Sequence, residues 1–139
     1  MHDRKEILRK EICDKANLWE FSKTIEKLIE RIQKSGCEIF CSDIHEFSSL
    51  TQDLEGDNKS YIRLGLKNRK KYPIHVIWDI LHEFGHHLSG KPNGNEKSVK
   101  REEKAWELGL EQLKQLPELT GHLDNYKLYQ KNCLKTYKN

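Results

Sequence analysis

Near the middle of the chain, the stretch WDILHEFGHHLSG brings His82, Glu83, His86 and His87 together in an otherwise apolar run. On a helix, a step of about 100° per residue puts His82 and His86 on one face, one turn apart. Two imidazoles at that spacing can reach one metal ion at about 2.0–2.1 Å. Glu83 falls roughly 100° round from His82. There it can act on a water beside the ion without being a ligand. This is the HExxH arrangement, two histidine ligands and a glutamate base. His87 is turned about 140° from His82, and His75 lies two turns away, roughly 10 Å, so neither joins the pair on this helix.

The competing reading is an ordinary amphipathic helix with polar residues on its wet side. Ile74, Ile77, Trp78, Leu81 and Leu88 form the core-facing stripe. His82 and His86 flank that stripe and so border the core. Gly85 lies on it, where a glycine costs roughly 1 kcal/mol against alanine. Its use is the close approach of another element.

A catalytic zinc takes three protein ligands and keeps one position open. The third is sought in KREEKAWELGLEQL. On a helix, Val99, Ala105, Trp106, Gly109, Leu110, Leu113 and Leu116 share one wide face. Glu102 falls near its middle, Glu103 at its edge and Glu107 on the far side. A carboxylate amid apolar groups is costly unless paired or metal-bound. Glu102 is therefore the preferred ligand and Glu103 the alternative, with one Zn2+ expected per chain. Ala105 and Gly109 are small enough for close packing against the histidine helix. A transition state also needs a donor for its developing oxyanion. His122 and Tyr126 are the candidates, although each also reads as a structural residue.

The elements that must position these groups follow from periodicity. Residues 3–34 are helical in pattern, with Ile25, Leu28, Ile29 and Ile32 at three- and four-residue steps; the pattern reads either as two helices separated at Asn17 or as one continuous helix, with Gly36 as its stop. CEIFCS reads as a strand and TQDLEGDNKS as a polar loop. YIRLGL reads as a second strand, with Gly65 marking a bulge or a close backbone approach. It is expected to bind an extended peptide at its edge. KNRKK is a turn. Pro73 suits the start of a helix ending near Ser89, with Gly90 as its stop. GKPNGN is a loop. A helix then runs from about Glu96 to Leu116 and ends before Pro117; Thr120 is placed to cap a last one over 121–137. The order predicts an α+β, mainly helical single domain. A helical segment covers 1–35, a core 36–116 and a C-terminal helix 117–139, with a small antiparallel sheet beside the histidine helix.

A chain of 139 residues fits one domain. Charged residues make up 34%, yet the formal net charge is only +3 and no basic block stands alone, which argues against a nucleic-acid binder. Lys127, Lys131, Lys135 and Lys138, interleaved with Tyr126, Tyr129 and Tyr137, are the one feature in favour; a solvated helix face explains them as well. The first residues lack an apolar signal region, and no run is long enough to span a bilayer, so a cytoplasmic protein is expected. Cys13, Cys37, Cys41 and Cys133 form no disulfide framework. On a strand, Cys37 and Cys41 stand roughly 13 Å apart. A Cys37/Cys41/His45 metal clip is therefore less suitable than buried, reduced thiols.

HEFGHH followed by EEKAWELG resembles the gluzincin metallopeptidases and, within them, the ImmA/IrrE family of small peptidases, over about residues 35–116. The family pattern H-E-[LF]-G-H, then E-x-x-A-[NW] on the next helix, falls on His82, Glu83, His86 and Glu102, with Ala105 and Trp106. His87 departs from the usual apolar residue. The resemblance implies a zincin-like fold and a protein substrate, a transcriptional repressor or similar regulator of a mobile element or stress response. The rival class is a catalytically silent zinc-binding module for protein interaction. Glu83 argues against it, since a structural site needs no base.

Overall fold

Asn17, at φ 57°, breaks the N-terminal helical pattern in two. Helix α1 spans Arg4–Ala16, a single 3-10 turn covers Trp19–Phe21, and α2 spans Ser22–Lys34. Gly36, at φ +89°, turns the chain out of α2 into the first strand. The computed structural model describes residues 4–52, 59–90 and 98–138. Most of the loop expected over 51–60, and that expected over 90–95, lie outside the described residues, as does the expected helix start at Glu96.

Strand β1 spans Cys37–Ser42, β2 Ser49–Gln52 and β3 Ser60–Gly65, in the order β1-β3-β2. The sheet differs from the antiparallel pair expected. β1 and β3 run parallel, with Ile39 beside Ile62, and β2 runs antiparallel on the far side of β3, with Leu50 beside Ile62. A parallel return needs a long connection rather than a tight turn, and residues 43–59 supply it. β2 was not foreseen because Leu50 is its only apolar residue. β3 is central, so the edge expected for peptide pairing is taken on both sides. β2 offers the edge instead. Gly65 serves the close approach expected of it: a Cβ there would run into the backbone of Glu46 and Phe47.

The sheet packs one face against the helices. Ile39, Ile62 and Leu64 are fully buried on that side, whereas Phe40 and Tyr61 face outward. Helix α3, Ile74–Leu88, crosses beneath β3 and β2, and α4, Ser98–Lys114, lies along its other flank. Short α5, Pro117–Thr120, leads into α6, Leu123–Lys138. Pro117 thus starts a new turn, and Thr120 closes it by donating to the Pro117 carbonyl instead of capping α6.

Covered on both flanks, α3 is buried nearly all round, not along one stripe. Val76, Ile77, Trp78, Ile80, Leu81 and Phe84 are all in the core. Leu88, expected in the stripe, is 40% exposed because α3 ends there, at Gly90 with φ +86°. Asp79 is also buried. Arg69 Nη2 stands 2.9 Å from its Oδ2, and the Tyr129 hydroxyl donates to its Oδ1 at 2.7 Å. Arg69 donates further to the Glu46 carbonyl. One buried ion pair thereby ties α3, α6 and the loop before β2.

The α3–α4 contact depends on missing side chains. A Cβ on Gly85 would overlap the Ala105 carbonyl oxygen, and one on Gly109 would lie 2.8 Å from the Leu81 carbonyl oxygen. We expect Gly85→Ala to push the helices apart and to destabilise the fold by at least about 1–3 kcal/mol, the usual range for overpacking. Urea denaturation checks this against Gly121→Ala, whose added methyl would meet nothing within 4 Å and which should be neutral or slightly stabilising.

Candidate metal centre

His82 and His86 leave α3 one turn apart, and Glu102 comes from the first turns of α4. His82 Nε2 stands 2.9 Å from Glu102 Oε1, and His86 Nε2 stands 2.7 Å from Glu102 Oε2. One donor atom from each residue lies within 4.8 Å of the others, and no other such group occurs among the described residues. Donors around a tetrahedral zinc at about 2.0–2.1 Å stand roughly 3.4 Å apart. The two imidazole–carboxylate separations, 2.9 and 2.7 Å, are somewhat shorter than that spacing. Two imidazoles and one carboxylate suit zinc, and they leave a fourth position free. Glu103, the alternative, is exposed and outside the cluster.

Glu102 is buried, as its place on the apolar face of α4 suggested. Burial acts to raise its pKa, but the bonds from His82 and His86 prevail and bring it down to about 2. It is thus an anion at neutral pH, as a ligand must be. Trp106 stacks flat on the His82 ring, with centroids 4.2 Å apart and planes 5° apart. That contact restrains the imidazole across its flat face.

Glu83 is buried beside the pair, its Oε2 3.6 Å from His82 Nδ1. Burial, with the nearby charges of Asp79 and Glu102, pushes its pKa up to about 9, against a smaller opposing pull from Arg63. A dication held by the triad would act in the opposite direction and favour the carboxylate. A cleft of about 220 Å³ opens onto these groups, lined by Ser48, Ser49, Leu50 and Gln52 on one side and by His82, Glu83, His86, Arg101 and Glu102 on the other. The edge strand β2 therefore forms one wall of the site.

His122 and Tyr126 do not line this cleft. Tyr126 is fully buried and donates to the Trp106 carbonyl at 2.6 Å, while His122 packs edge-on against Phe21. His87 turns away to the sheet: its Nε2 is 3.0 Å from the Ser35 carbonyl oxygen and its Nδ1 is 2.9 Å from Ser60 Oγ. Cys37, Cys41 and His45 do not gather into a metal clip; burial pushes the Cys37 and Cys41 thiols up to about 12, and His45 pairs with Ser42. Arg101 and the β2 wall are the parts of the site that motif reading missed. Arg101 sits in a charged run, KREEK, and β2 has too little periodicity to mark it as a strand.

Compared with known families, characterised proteins and solved structures, the chain matches none.

Purified protein should bind about one zinc per chain, and His82→Ala should lose it. Glu102→Ala should weaken zinc binding far more than Glu103→Ala does, because only Glu102 meets both imidazoles. Competition titration against a chromophoric chelator measures both. Equal affinities for the two glutamate variants would move the third ligand elsewhere.

Proposed function

We propose that this chain is a zinc-dependent metallopeptidase with a zincin-like site, cutting a peptide bond within a protein substrate. The observation that carries this reading is the convergence of His82, His86 and Glu102 with Glu83 buried beside them and a cleft leading in. Bound zinc would supply Lewis acidity, polarising a carbonyl and making water easier to deprotonate. Glu83, which burial drives toward its neutral form and a bound dication would return to the carboxylate, would accept that proton and pass it to the leaving amine. Trp106 and Glu102 hold His82 in orientation. Glu83, His86 and Glu102 are largely buried and yet line the cleft.

An extended substrate can add to the unpaired edge of β2, where backbone bonds fix its course past Glu83. The central place of β3 leaves β2 as the strand that adjoins both cleft and solvent. The HEFGHH and EEKAW segments support an ImmA/IrrE-like assignment within the zincins, and through it a transcriptional repressor or similar regulator as the substrate. No helix among the described residues is long and apolar enough to cross a membrane. On α6, Tyr126 is enclosed and Tyr129 is engaged with Asp79, which removes two of the three rings that interleave the lysines and weakens the nucleic-acid reading.

Glu83→Gln separates an enzyme from a silent zinc module. The amide keeps the shape but cannot take the proton, so zinc and fold should persist while cleavage falls by about 10²–10⁴-fold. Extracts of the native host are incubated with each protein and compared by quantitative mass spectrometry of new chain termini. A protein cut by wild type and captured intact by Glu83→Gln supports the peptidase. If both proteins yield the same termini and the same biological output, the interaction-module reading takes its place.

A further inference from the structure

Six arginines occur in the described residues, and five have polar partners. Arg4 pairs with Glu38, Arg9 with Glu6 and Glu26, and Arg31 with Gln112. Arg63 donates to the Phe47 carbonyl, and Arg69 is held by Asp79. Arg101 alone has no hydrogen bond or ion pair among the described residues, and it is the arginine that lines the cleft. It precedes Glu102 on α4, so its guanidinium is carried on the same helix turn as the third ligand.

The charges around the cleft make that position consequential. Of the nine residues lining it, Ser48, Ser49, Leu50 and Gln52 are uncharged, and the only carboxylates are Glu83 and Glu102. Neither pairs with Arg101: Glu102 is held by the two imidazoles, and Glu83 lies 3.6 Å from His82 Nδ1. With a dication in the triad, Arg101 is a surplus positive charge on the wall a substrate must pass. A half-buried guanidinium with free donors favours a carboxylate, which it can grip through two parallel N–H groups.

Resting on the peptidase reading, we infer that Arg101 is a specificity-determining residue that selects a substrate carboxylate in the subsite next to the cleaved bond. The carboxylate can be an Asp or Glu side chain or the chain's own C-terminus. The chemistry is the same; the consequence differs, since the first source makes the site an endopeptidase preferring acidic sequences and the second a carboxypeptidase.

Binding measures this without turnover. Three succinyl hydroxamates, whose hydroxamate chelates zinc, are compared on the zinc-loaded full chain by isothermal titration calorimetry. One ends in glutamate amide, one in glutamine amide and one in glutamine with a free carboxylate. We expect wild type to bind one of the two carboxylate compounds about tenfold more tightly than the neutral one, a typical size for a charge-assisted pair, and the favoured compound names the source. Arg101→Gln should bring the ratio to about one while keeping zinc stoichiometry, and Arg101→Lys should retain part of it. Equal ratios in wild type and Arg101→Gln overturn the inference. So does an equal loss for all three compounds, which would place Arg101 on the reacting group itself. Tight binding with no charge preference removes the inference and leaves the peptidase reading standing. Failure of every hydroxamate to bind zinc-loaded wild type removes both.

Discussion

The backbone contact between Gly85 and Ala105 sets how close two helices can come, and the candidate metal centre depends on that distance. A glutamate side chain is short. Its carboxylate can meet imidazoles from the next helix only if the two backbones nearly touch. With Gly85 against Ala105 and Gly109 against the Leu81 carbonyl, no Cβ stands between them. Glu102, one turn before Ala105, then spans both His82 and His86. Trp106, the residue after Ala105, is delivered to the flat side of His82 by the same approach. One steric constraint thus aligns the two histidines, the glutamate between them and the ring that stacks on one of them.

That packing also creates an electrostatic problem. Three carboxyl groups, Asp79, Glu83 and Glu102, are buried within a short length of two adjacent helices. Burying a charge is expensive unless it is paired. Asp79 is offset by Arg69 and Tyr129, and Glu102 by the imidazoles. Glu83 has no such partner and is pushed toward its neutral form, with the charges of the other two adding to the burial. Such a group is unfavourable for stability alone. It is useful where a dication would shift its balance and a proton must be taken and released.

How much of this was legible follows from which residues obey a helical period. His82, Glu83, His86 and Glu102 could be placed because α3 and α4 are regular, and a 100° step decides which side chains share a face. Gly85 was legible as a close approach because a glycine among apolar neighbours has little other use. The sheet was less so. Parallel pairing of β1 with β3 is decided by a long connection, and β2 lacks the alternation that marks a strand. Arg69 and Asp79 were missed because, in sequence, each reads as a surface charge. Their pairing depends on α6 supplying Tyr129 and on α3 being covered from both flanks, neither of which a single helix pattern reveals.

His87 shows how a residue outside the motif still serves it. A carbonyl oxygen only accepts, so His87 Nε2 carries the ring proton toward Ser35, and Nδ1 is left to accept from the Ser60 hydroxyl. The ring thereby joins the end of α3 to the end of α2 and to the first residue of β3. An apolar side chain here could pack but could not satisfy both groups. Nearby, the Gln52 amide donates to the Gly90 carbonyl, linking the last residue of β2 to the chain just beyond α3. His86 lies on the turn that these two links hold, and the cleft lies between that turn and β2. The polar side chain at position 87 therefore ties the end of α3 to α2 and β3, and Gln52 ties the chain just beyond it to β2. The spacing between the candidate ligands and β2 thus depends on contacts with the sheet as well as on the two packed helices.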